Sequence, residues 1–301
     1  MRCPTSGLPT WVVEGERCLS SVKNVLSFVR WRLVPVRYVG KIAAWPRVAA
    51  SRQHVPRGRT AATVQEQGCL AGPRLSPEAL AEIQAIFRPR VADVRPSTTG
   101  HTFVNLVKPE DFVPENPVFR FAFSADVLDV ADDYFGGRFI LDSIQVLYSW
   151  PTSEAPHDSQ MWHKDYGDSK SLHCVVYLND VTKIEDGPLV YVDRNDARRI
   201  RRSLIIRRIT DAQFSAELGA GRIRHFFGRA GESVLVDPAV CYHYGSRCSN
   251  PRLAIFVTFN TDRPFVAPTE PILHNGSLIL ASARQVRSDL TESYLRRLLS
   301  L

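Results

Sequence analysis

Two stretches in the second half of the chain alternate with a period of two, and they restrict the possible folds more than any other feature. In 171–180, Leu172, Cys174, Val176 and Leu178 form an apolar set, while Ser171, His173, Val175 and Tyr177 form the other. In 252–260, Leu253, Ile255, Val257 and Phe259 alternate with Arg252, Ala254, Phe256, Thr258 and Asn260. Successive side chains on a strand point to opposite faces, so each segment reads as a strand with one apolar face and one mixed face. Further strand-like runs are 139–150, closed by Pro151, 189–192 after the Gly187-Pro188 turn, and 231–238. Many short strands with helical patterns before and after predict a mainly β core with flanking α-helices, a sandwich or jelly roll.

The flanking helices have their own signals. Ser76 as cap, Pro77 at the first helical position and Glu78 in the first turn start one, whose apolar Leu80, Ile83, Ile86 and Phe87 run to Pro89. A second covers 125–134 and stops at Gly136-Gly137. A basic helical insertion is expected over 196–218, and a short amphipathic helix over 290–301. Residues 100–120, rich in proline and aromatics, predict short extended pieces and turns.

The formal net charge of +7 is not spread evenly. Residues 1–75 hold twelve Lys and Arg against three acids, whereas residues 76–301 hold 26 bases and 28 acids. The chain therefore divides into a basic N-terminal extension, 1–75, and a nearly neutral domain, 76–301. Within the extension Val22, Val25, Leu26, Val29 and Leu33 share one helical face, and 50–74 reads as linker. Its charge suits weak contact with an anionic surface; no specific nucleic acid is expected as a partner. Six cysteines without a C-x-x-C pair, and no apolar run of the ~18 residues needed to cross a bilayer, suggest a reduced, cytoplasmic setting.

Chemistry enters at Trp162-His163-Lys164-Asp165. Two positions apart on extended chain, His163 and Asp165 project from one face. An imidazole and a carboxylate so placed are two thirds of a facial triad, the donor set that leaves open positions on non-haem Fe(II). His243 is the natural third donor, with His225 as an alternative.

The ordered set Gln145, Trp162-His163-Lys164-Asp165, Tyr177-Leu178-Asn179-Asp180, Asp186-Gly187-Pro188-Leu189, Gly231-Glu232-Ser233-Val234-Leu235-Val236-Asp237, His243 and Arg252 resembles the phytanoyl-CoA dioxygenase family. The resemblance covers roughly residues 76–263. It implies a double-stranded β-helix (a cupin-like jelly roll) and an Fe(II)/2-oxoglutarate-dependent dioxygenase. Such an enzyme hydroxylates a small-molecule substrate with O2 while 2-oxoglutarate becomes succinate and CO2. His163, Asp165 and His243 would be the metal ligands and catalytic centre. Asp165 also speaks against the halogenating relatives, in which that carboxylate is replaced by a small residue.

On the same resemblance Arg252 would pair with the far carboxylate of 2-oxoglutarate, a role that suits an always-charged, bidentate guanidinium. Arg247, in a loop, is its competitor. Gln145 and His173 are further candidates for the co-substrate pocket; Trp162 and Tyr166 either wall the substrate pocket or simply pack. Two other readings stay open on the residues alone: a cupin-like metal enzyme independent of 2-oxoglutarate, and a catalytically idle jelly-roll binding module.

Overall fold

In a computed structural model, residues 54–95, 102–165, 167–200, 208–264 and 266–301 are described. The expected helix over 22–34, Tyr166, and Arg201, Arg202 and Arg207 of the basic insertion lie outside them. Nine strands form two antiparallel sheets among the described residues. The larger sheet takes the order β1 (Cys69–Ala71), β7 (Ser233–Val236), β4 (Ser171–Tyr177), β9 (Arg252–Thr261), β3 (Phe139–Ser149) and β2 (Phe103–Asn105). The smaller is β6 (Arg224–Phe226), β5 (Leu189–Tyr191) and β8 (His243–Tyr244).

The alternation read in 171–180 and 252–260 is realised by register. Cys174 pairs with Val257 and Val176 with Ile255, while His173 pairs with Thr258 and Tyr177 with Ala254. The first set is buried in one large cluster with helix residues: Ile83 and Phe87 of α2 (Pro77–Val91), Val127 and Phe135 of α4 (Ala125–Phe135), Ile279 of α8 (Gly276–Val286), and Leu295 of α9 (Glu292–Leu298). Each such side chain removed from water stabilises the fold by roughly 1.5–3 kcal/mol. The opposite faces of both sheets meet in a second cluster, where Val175, Tyr177, Val234, Val236 and Ala254 pack with Leu189, Tyr191 and Phe226. The result is the expected mainly β jelly roll with helices on its outer faces.

Local chemistry explains the element ends. Ser76 Oγ accepts from Ala79 N at 3.1 Å, capping α2 as its sequence predicts. Pro89 does not end that helix, which runs to Val91. A proline in the last turn removes one N–H but leaves its carbonyl to accept from Ala92 N at 3.1 Å. Gly136 closes α4 at φ 66°, the left-handed conformation glycine adopts without strain. Among its described residues the basic insertion shows two helices, α5 (Arg194–Ala197) and α6 (Asp211–Leu218). Among the described residues no helix is long and apolar enough to cross a membrane.

The linker reading of 50–74 fails over 59–71. There α1 (Arg59–Gln67) buries Ala61 and Val64, and β1 pairs with β7 at Cys69↔Val236. A nine-residue helix with only two buried side chains leaves little periodicity to read, and three residues of strand leave none.

Candidate metal centre

The site is built where the smaller sheet closes onto the end of the segment 162–165. His163 and His243 form an antiparallel pair: His163 N donates to His243 O at 3.0 Å, and His243 N returns the bond to His163 O at 2.9 Å. Residues paired in this way direct their side chains to the same face. The two imidazole rings stand 4.3 Å apart, centroid to centroid. Asp165 is placed by its own backbone, whose N–H donates to Pro238 O at 2.9 Å.

The geometry brings three donors to one point. His163 Nε2 lies 3.5 Å and His243 Nε2 3.7 Å from Asp165 Oδ1. One ligating atom from each residue lies within 4.8 Å of the others. Bonds of about 2 Å to a divalent ion would draw facial donors to about 3 Å apart, a small closure from this arrangement. His163 Nδ1 bonds Met161 O at 2.7 Å and His243 Nδ1 bonds Cys241 O at 3.3 Å. A carbonyl only accepts, so each Nδ1 carries the proton and each Nε2 presents a bare lone pair toward Asp165.

Electrostatics agree with that protonation. Burial, and then the neighbouring His163, push His243 down to about 3, which makes it a neutral donor near pH 7. Burial alone would raise the Asp165 carboxyl, but the His163, His243 and His173 imidazoles around it outweigh burial and hold Asp165 well below its ordinary value. His173 stands on the inner face of β4 with its Nε2 3.8 Å from Asp165 Oδ2, and burial lowers its pKa. It is thus a neighbour of the carboxylate rather than a fourth member of the converging set. His225 lies on β6, exposed and stacked against Phe227, and takes no part.

Arg252 opens β9 on the inner face and is 4% exposed. It donates from Nη1 to Gly187 O and from Nη2 to Ser246 Oγ at 2.7 Å, with Ser149 Oγ at 3.5 Å. Its Nε is buried without a hydrogen-bond partner. A buried guanidinium with an unpaired Nε–H and, among the described residues, no carboxylate in an ion pair with it suits an acidic ligand group. Arg247 is committed elsewhere: it donates to Asp211 at 2.8 and 3.0 Å, to Gln160 O, and covers the Tyr244 ring at 3.6 Å. Gln145 pairs with Phe256 and shares the inner face with Arg252. Trp162 is 2% exposed, stacked on Phe214 at 3.9 Å, and so braces α6 instead of walling an open pocket.

Sequence reasoning missed several residues here. Tyr191 pairs with His243 across the smaller sheet and packs its ring into the inner cluster. Ser149 and Ser246 flank Arg252. Asp142 sits at the register shift of β3, where a bulge turns it toward Asn260 Nδ2 at 3.0 Å, and burial pushes its carboxyl up to about 6. Only the bulge is beyond sequence pattern in principle; Tyr191 follows from the strand alternation once β5 and β8 are known to pair.

No family model matches the chain, and no curated protein matches it. Solved structures do. The apo crystal structure of EctD from S. alaskensis is 19% identical over 72% of this chain and 83% of its own, with a TM-score of 0.52. HygX from Streptomyces hygroscopicus, with nickel and 2-oxoglutarate bound, is 15% identical over 71% and 88%, at 0.47. The non-heme alpha-ketoglutarate-dependent epimerase SnoN, of nogalamycin biosynthesis, is 19% identical over 70% and 80%, at 0.44. At these identities the EctD overlay establishes a shared fold, and the two looser overlays establish nothing beyond it.

Proposed function

We propose that this chain is a non-haem Fe(II)/2-oxoglutarate-dependent oxygenase that hydroxylates a small organic substrate, related to the phytanoyl-CoA dioxygenase family. The observation that carries the reading is the pair of bare Nε2 atoms meeting Asp165 at one point, with both Nδ1 atoms tied to backbone carbonyls. Two neutral imidazoles and one carboxylate on a single face are the donor set of an Fe(II) centre with positions left for co-substrate and O2. The orphaned Nε of Arg252 supports 2-oxoglutarate as the co-substrate. EctD, whose fold the chain shares, has been crystallised with Fe and with 2-oxoglutarate and 5-hydroxyectoine.

When bound, iron and co-substrate supply oxidation of an unactivated C–H bond coupled to loss of CO2 from 2-oxoglutarate. The protein's part is positioning. His163, Asp165 and His243 would hold the metal. Arg252, supported by Ser149 and Ser246, offers a charged partner to the far carboxylate. Val175, Val234, Phe256 and Tyr191 line the space between the sheets with apolar surface.

The test is an anaerobic titration of Fe(II) and 2-oxoglutarate followed in the visible, where the chelated complex gives a weak charge-transfer band. The expected result is a saturable band at one equivalent, with succinate produced once O2 is admitted. Asp165→Ala should lose both while its far-UV circular dichroism is unchanged. Normal succinate production by that variant would overturn the assignment.

A further inference from the structure

A carboxylate outside the converging set is hydrogen-bonded within the turn whose carbonyls contact two of its members. Asp237 follows β7 directly and is fully buried. Its Oδ2 accepts from Tyr134 Oη at 2.6 Å; its Oδ1 accepts from Ala239 N at 2.9 Å and Ser171 N at 3.3 Å. Its main chain is equally committed: Asp237 N donates to Gly68 O at 2.8 Å, and Asp237 O accepts from Val240 N at 3.2 Å and Cys241 N at 3.1 Å. One residue therefore ties together helix α4, the start of β4, the α1–β1 junction and the turn 237–241.

That turn carries the backbone acceptors of the site. Pro238 O receives Asp165 N at 2.9 Å, and Cys241 O receives His243 Nδ1 at 3.3 Å. The first bond fixes the carboxylate's backbone, and the second fixes the ring orientation and tautomer of the histidine. Both acceptors lie within four residues of Asp237, on a turn whose shape its side chain and carbonyl set. Ser171, held by the same carboxylate, stands two residues before His173 on the inner face.

We infer that Asp237 is a positioning residue for the metal centre, acting through Pro238 O on Asp165 and through Cys241 O on His243, with Tyr134 as the donor that fixes its carboxylate. This rests on the metal-centre reading above. Groups that orient metal ligands typically change metal affinity by about 10- to 100-fold when removed.

The experiment uses Co(II) as probe, titrated anaerobically into the metal-free full chain and followed by its d–d absorption. Wild type, Tyr134→Phe, Asp237→Asn and Asp237→Ala are compared. Asp237→Ala should bind Co(II) about 10- to 100-fold more weakly and with an altered band shape. Asp237→Asn keeps an oxygen for the Ala239 and Ser171 N–H groups, and should restore most of the affinity and the wild-type spectrum. Tyr134→Phe removes one hydroxyl only, so it carries the test if Asp237→Ala does not fold; it should weaken Co(II) by about tenfold and shift the band. Wild-type affinity and spectrum in folded Tyr134→Phe or Asp237→Ala would overturn the positioning role alone. A wild type that binds no Co(II) would overturn the metal reading and this inference with it.

Discussion

At the scale of single residues, the separation of roles between the triad and Arg252 can be tested. Arg252→Gln should leave Fe(II) binding nearly intact and raise the 2-oxoglutarate requirement strongly. Removing one partner of a buried charged pair costs about 3–5 kcal/mol, which corresponds to roughly two to four orders of magnitude in affinity. Succinate production measured against 2-oxoglutarate concentration checks this; an unchanged requirement would mean that another group receives the co-substrate. Arg247→Gln, by contrast, breaks the pair with Asp211 and should leave that requirement unaltered. These residues were legible in the sequence because spacing and strand parity place them: two residues from His163 to Asp165, and alternate positions along β9. Ser149, Ser246 and Asp237 were not legible, since their partners lie 103, 6 and 103 positions away and only strand pairing (Ser149 opposite Arg252) or tertiary packing brings them together.

Among elements, the long ones announced themselves and the short ones did not. β3, β4 and β9 span 11, 7 and 10 residues, enough for a period of two to repeat. β8 has two residues, and it takes its identity from pairing with Tyr191 and Val190 rather than from its own pattern. The α1–β1 junction shows how much such a short piece can matter. Gly68 sits there at φ 87°, and a Cβ on it would run into Cys241 Sγ, on the turn that leads to His243. Gly68→Ala adds left-handed strain of about 1–3 kcal/mol to a collision with a buried side chain. Gly137 has a similar φ of 75°, but its Cβ would meet nothing nearer than Asp132 Oδ1 at 4.0 Å. Denaturant unfolding should therefore show Gly68→Ala losing clearly more stability than Gly137→Ala, by at least about 1 kcal/mol. Equal losses would mean that the junction yields without disturbing the turn.

For the whole molecule, the sequence drew its boundary by charge, whereas packing carries the folded unit back past it to include at least α1 and β1. The basic excess ends near residue 75, but charge reports what solvent meets and not what the sheet needs. β1 covers the edge of β7 with its own Cys69 buried, and Ala61 and Val64 of α1 are buried as well. Two shortened chains separate these criteria. One beginning at His54 should stay soluble and retain Fe(II)- and 2-oxoglutarate-dependent succinate production, because the triad and Arg252 lie beyond residue 160 and α1 and β1 are kept. It should also lose any salt-sensitive affinity for anionic vesicles, since exposed charge is screened within about 10 Å at 0.1 M salt. One beginning at Gly72 removes β1, uncovers the edge of β7 and deletes the Gly68 carbonyl that receives Asp237 N. It should aggregate, or melt well below the longer chain and bind metal weakly. Solubility, thermal midpoint and Co(II) affinity of the two chains decide the matter: matching values would return the boundary to residue 75, while failure of the His54 chain would make the first 53 residues part of the folded unit.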